Sequence, residues 1–178
     1  MNLHWIWLSS LKLGTAKKIR LLRHFKSIDL LYHASCEDYM ASGIVRESNL
    51  KSLNDKNLDG AEKIKEKCIK AGVQVLTIED NAYPERLANI DDAPVVLYYK
   101  GTLPSFDKEP AIAVVGSRNH TIYGQMTAER LAYEMSICGA HIVSGMAKGI
   151  DAAAHRGALL ADKPTTAVFG LRTRQHIP

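Results

Sequence analysis

Twice in the second half of the chain an apolar stretch runs into a glycine-bearing loop and then into a helical pattern. The first stretch is Ala111-Ile-Ala-Val-Val-Gly116-Ser117-Arg118. The second is His141-Ile-Val-Ser144-Gly145-Met-Ala-Lys148-Gly149-Ile-Asp151. The loops sit 27 residues apart, counted from Ser117 to Ser144. Strand, loop and helix in alternation predict a parallel sheet with crossover helices, because parallel neighbours cannot be joined by a tight turn. The pattern places strands near 111–116, 140–144 and 165–170, and helices over Tyr123–Cys138 and Ile150–Ala161. The first strand is apolar almost throughout, which predicts cover on both of its faces.

Each loop combines Gly, Ser and one cation just ahead of a helix. Backbone N–H groups at a helix start, a hydroxyl and a cation together suit a phosphate oxygen. The candidate binding residues are Gly116, Ser117 and Arg118 in one loop, and Ser144, Gly145, Lys148 and Gly149 in the other. Arg118 can hold a phosphate bidentately, and Lys148 serves as a point charge. Neither GxGxxG nor GxxxxGK[ST] is present, so a standard dinucleotide site or P-loop is not supported. Two loops at the carboxyl ends of neighbouring strands suit successive phosphates of a nucleotide or a nucleic-acid strand.

Asp151 and His155 stand at i, i+4 on the second helix and admit two readings. They form an acid/base pair, or Asp151 charges the helix start while His155 packs nearby. The second is favoured, because a catalytic pair needs a third group to orient it. Tyr123 either stacks on a base or packs on the sheet.

The first 72 residues read as helical. Trp5, Ile6 and Leu8 give an apolar first helix, and Thr15 is placed to cap a second, with Ile19, Leu22 and Phe25 on one side and Lys17, Lys18 and Arg20 elsewhere. Short helical pieces are expected at Ile28–His33 and Glu37–Ser42, and a longer one over Leu58–Lys70, stopped by Gly72. Strands follow at Val73–Ile78 and Pro94–Tyr99, then a Gly/Pro-rich linker over 101–110. The expected organisation is a helical domain (1–72), connecting strands and linker (73–110), and a domain with phosphate-binding loops (111–178).

At 178 residues, 46% apolar and 24% charged, the chain suits soluble globular structure. The formal charge of +4 is mild, but residues 1–28 hold six Lys/Arg and no acid. That stretch is either a nucleic-acid contact or a solvated helix face. Three widely spaced cysteines form no metal-ligand cluster and point to a reducing, cytoplasmic setting. Neither a metal nor a cofactor is expected.

Several motifs resemble the DNA-processing protein A family (DprA, also called Smf). They are Tyr83-Pro-Glu-Arg-Leu87, Ala93-Pro94-Val-Val-Leu-Tyr98 with Lys100-Gly101, Val114-Val-Gly-Ser-Arg118 with Thr121 and Tyr123-Gly124, and Ser144-Gly-Met-Ala-Lys-Gly-Ile-Asp151 with Ala154-His155. The N-terminal helices are similar to the family's sterile-alpha-motif-like (SAM-like) domain. The resemblance implies an α/β fold, a partial extended Rossmann domain behind a small helical one. It implies single-stranded DNA binding and protection without catalysis, delivery to a RecA-type recombinase during natural transformation, and a homodimer. By position, the family's basic pocket falls on the seven loop residues named above. The alternative is a nucleotide-binding enzyme of the phosphoribohydrolase, lysine-decarboxylase-like type, whose Pro-Gly-Gly-x-Gly-Thr loop is not found here.

The tail Leu171–Pro178 departs from the family pattern. Codons able to encode it, read one base later, give Phe-Gly-Leu-Asp-Ser-Ile-Tyr-Pro, which is the family's motif. The expectation is a C-terminally truncated member, shifted in frame near Gly170, with an unpaired sheet edge and without assured activity.

Overall fold

The computed structural model describes residues 2–169. The chain divides into two compact units, one ending at Leu103 and one beginning at Pro104.

The first unit carries six helices, α1 (Leu3–Ser10), α2 (Thr15–Phe25), α3 (Ile28–His33), α4 (Cys36–Ala41), α5 (Glu47–Asn54) and α6 (Asp59–Ala71). Then come β1 (Gln74–Thr77), a helical turn α7 (Glu85–Ala88) and β2 (Val96–Tyr99). Gly72 ends α6 in the left-handed region, at φ 64°, as a C-cap glycine does. Strands β1 and β2 pair antiparallel, Gln74 opposite Tyr99. Ala93, Val95 and Val96 are buried in one cluster with Trp5, Trp7, Leu21, Leu31 and Tyr39. The strand pair set apart in the sequence reading as a connector therefore shares the helical core, because its apolar face has nowhere else to be covered. Two of the quoted motifs meet here, as the Tyr83 hydroxyl donates to Pro94 O at 2.7 Å.

Three local expectations change. Gly14, not Thr15, is the N-cap of α2, and no side chain caps it. Lys18 is buried, at 6% exposure, and its Nζ donates to Ser9 O at 2.6 Å. Its stem lies along apolar neighbours while its head satisfies a carbonyl at the end of α1. Helix α5 has no counterpart in the sequence reading.

The second unit is a three-stranded parallel sheet in the order β3 (Ala111–Ala113), β4 (His141–Ser144), β5 (Thr165–Ala167). Helix α8 (Ile122–Ile137) joins the first two strands and α9 (Ile150–Leu160) the last two. The strand order advances one way, so right-handed crossovers put both helices on the same face. Ala132, Ala154 and Ala158 bury Ile142 there, with Ile112 and Val114 alongside. On the other face Val115 and Val168 remain 67% and 58% exposed. Cover on both faces of β3 is thus not found among the described residues: its apolar character serves one helix layer. At the helix crossing, a Cβ on Gly157 would overlap Glu129 O and lie 2.9 Å from Ala132 Cβ, so only glycine lets the backbones approach this closely. The shifted-frame expectation for Leu171–Pro178 lies outside the described residues.

Candidate functional site

Both glycine loops leave the carboxyl ends of adjacent strands. Register sets this: Ala113 stands opposite Val143 on β4, so Gly116 and Gly145 emerge at the same end of the sheet. Ser144, at the last position of β4, is 3% exposed, and its Oγ donates to Val114 O at 2.6 Å. The Ser144 hydroxyl thus ties the two strands together just below the loops.

Above this tie the loops interlock. Gly149 is at φ 94°, and a Cβ there would overlap Ser117 O and come within 2.9 Å of Arg118 Cα. The Ile150 N–H, the first of α9, donates to Ser117 O at 3.2 Å. Gly116 is pressed on the Ile150 side chain, 2.8 Å from the position a Cβ would take. The Ser117 hydroxyl donates to Asn119 O at 2.8 Å and accepts from Asn119 N at 3.1 Å, shaping the turn into α8. Thr121 caps that helix by accepting from Gly124 N at 3.0 Å.

Asp151 lies under both loops, 6% exposed. Its Oδ1 accepts from Gly116 N at 3.2 Å and its Oδ2 from Ala147 N at 3.4 Å. His155 does not touch it by hydrogen bond. Thr165 Oγ1 gives its hydrogen to Ile142 O at 2.7 Å, so it accepts from His155 Nδ1, 2.9 Å away. That fixes the tautomer, with Nε2 buried and unpartnered. Burial holds the imidazole below its ordinary pKa, partly opposed by the Asp151 charge. The pair is therefore not assembled as an acid/base couple; each member is committed to packing the loops and β5.

The outward groups of the site are cationic. Arg118 and Lys148 are exposed, one on each loop, and among the described residues neither is ion-paired. Of the two readings of Tyr123, packing on the sheet is not observed: the ring is 79% exposed beside the first loop. Met146 is a feature that sequence reasoning did not reach. It adopts φ 55°, a left-handed conformation rare outside glycine, and its side chain is 61% exposed on the second loop. Nothing in the residue type signals this; only the Gly145–Lys148 turn requires it. Among the described residues no group of three or more His, Cys, Asp or Glu could hold a metal ion, and no helix is long and apolar enough to cross a membrane.

The arrangement presents two exposed cations, an exposed aromatic ring and a left-handed turn at one end of a sheet.

Comparison with known proteins follows the same motifs. The family model for DNA recombination-mediator protein A matches residues 74–178. The chain is similar to the DNA processing protein DprA of Streptococcus pneumoniae, 46% identical over 96 residues, which is 53% of this chain and 33% of that protein. It is similar over more of its length to protein Smf of Borreliella burgdorferi, 31% identical over 167 residues, 92% of this chain and 51% of that protein. The X-ray structure of DNA processing protein A from Streptococcus pneumoniae superimposes with a TM-score of 0.74 at 31% identity, covering 95% of this chain and 58% of that one. The chain spans about half, or less, of the length of these curated relatives.

Proposed function

Since the chain belongs to the DNA recombination-mediator protein A family, we propose that it binds single-stranded DNA across its two glycine loops. In this reading it acts in DNA processing during DNA uptake, protecting the strand and passing it to a RecA-type recombinase. The observation that carries the reading is the pair Arg118 and Lys148, exposed and without an ion pair among the described residues, on two interlocked loops at one sheet end. Two cations held apart by a rigid base suit neighbouring phosphates, and phosphate contacts are indifferent to base sequence. Tyr123 supplies a π-face for a base beside the track, the combination that sequence-tolerant single-strand sites use. The Ser144 hydroxyl serves strand pairing, and the Gly116 amide is engaged by Asp151, so the side-chain cations carry the ligand contact.

The function is binding rather than turnover, which the commitment of Asp151 and His155 to structure supports. Homodimerisation and recombinase contact belong to the same proposal. The test is titration of labelled oligo-dT against the parent chain and Arg118→Ala. The variant should bind about tenfold or more weakly, for every base composition, with the log–log salt slope flattened by roughly 0.7. Absence of oligo-dT binding by the parent would overturn the reading. Base release from a nucleoside monophosphate would instead favour the phosphoribohydrolase alternative.

A further inference from the structure

We propose that Asp151 is a built-in anion that fixes the spacing of the two loops, and so is a positioning residue for the phosphate track; this rests on the single-strand reading above. Three observations converge on it. Its two oxygens accept from amides of different loops, Gly116 N and Ala147 N. A carboxylate that only charged its own helix would have no reason to reach the end of β3, 35 residues earlier in sequence. Gly145 is shaped around it: a Cβ there would stand 2.8 Å from Asp151 Oδ2. And the carboxylate is buried at the start of α9, where the helix dipole favours negative charge.

One amide of each loop that an anion could otherwise use, Gly116 N and Ala147 N, is therefore taken by the protein's own carboxylate. An incoming phosphate is held further out, on the side chains of Arg118 and Lys148. Arg118 lies two residues beyond Gly116, and Lys148 one beyond Ala147. Asp151 thus sets the separation of the cations by holding the peptide groups next to them, and needs no contact with DNA itself.

The test compares the full chain with Asp151→Ala and the near-isosteric Asp151→Asn, which has one acceptor oxygen in place of two. Hydrogen exchange of peptides spanning 114–119 and 144–150 reads the clamp without DNA. Both should exchange faster in Asp151→Ala. A change confined to the second peptide would reduce Asp151 to a helix-start residue and overturn the proposal. Oligo-dT affinity should fall about tenfold, and sodium formate, a free carboxylate able to enter the vacated space, should restore much of it. Unchanged affinity, tighter binding through the freed amides, or failure of formate to restore it would each count against positioning. If Asp151→Ala does not fold, Asp151→Asn carries the exchange and affinity readouts, and exchange and affinity both unchanged in it would overturn the proposal. If the parent itself does not bind oligo-dT, the single-strand reading fails, while the exchange result still decides the clamp.

Discussion

Gly149→Ala places a methyl group at the point where the two loops touch. Two costs add. The backbone is at φ 94° and ψ −131°, a region essentially closed to residues with a Cβ, which costs about 1–3 kcal/mol. The methyl also overlaps Ser117 O and approaches Arg118 O at 2.9 Å; both are backbone atoms, so relief requires a loop shift, of order 1–3 kcal/mol. Taking about 3 kcal/mol together, and a urea dependence of about 1 kcal/mol/M for so small a unit, the midpoint should fall by roughly 3 M. The assay must look at the right unit. Both tryptophans, Trp5 and Trp7, lie in the first unit, so indole emission follows that unit and not the loops. Hydrogen exchange of peptides between 111 and 168 against urea follows the second unit. A shift below about 0.5 M in those peptides would refute the claim that the loops are locked at Gly149.

Other outcomes follow from the same geometry. Gly60 sits inside helix α6, and a Cβ there would meet nothing within 4 Å, so Gly60→Ala should stabilise the first unit by about 0.5–1 kcal/mol, seen as a higher urea midpoint by tryptophan emission. Lys18 releases its proton at about 8 in the folded chain, because burial disfavours the ammonium, and at 10.5 when unfolded. The unfolded state then holds more protons between those values, so stability rises with pH across that window. Above about 10 the sign reverses, because burial pushes Tyr39 up and Tyr83 up to about 12. Burial lowers Lys56 to about 8 in the same way, so urea midpoints from pH 7 to 11.5 should rise and then fall, and Lys18→Met should remove about half of the rise; a steady fall from pH 8 would contradict this. Tyr123→Ala should weaken oligo-dT by about 1–3 kcal/mol without moving thermal stability, since its ring is 79% exposed; a matching loss of stability would mean that the ring packs rather than stacks.

The second unit was largely legible because its punctuation is local. Glycines must appear where strands turn into helices, and cations beside them stand out. What escaped the sequence is what depends on partners far along the chain. Helix α5, Glu47–Asn54, is rich in Ser and Asn and has little helical signal, yet Leu53 is fully buried and holds it in place. Lys18 reads as a solvated cation until α1 brings Ser9 O to its ammonium. Ser144 reads as a phosphate hydroxyl, yet the neighbouring strand's carbonyl claims it. Asp151 shows as an acid at a helix start, but its bond to Gly116 is visible only once the strands are side by side. The apolar run of β3 predicts burial on two faces, and helix handedness puts both α8 and α9 on one of them, the face covered among the described residues.

The central claim is that the two loops form one phosphate track, and a double-mutant cycle on Arg118 and Lys148 tests it most directly. Oligo-dT affinity is measured for the parent, Arg118→Ala, Lys148→Ala and the double variant, across a salt series. Each single change should flatten the log–log slope by roughly 0.7, and the double variant should depart from additivity by about 0.5 kcal/mol or more. Strict additivity, or a slope that neither change moves, would mean that the loops do not share a strand.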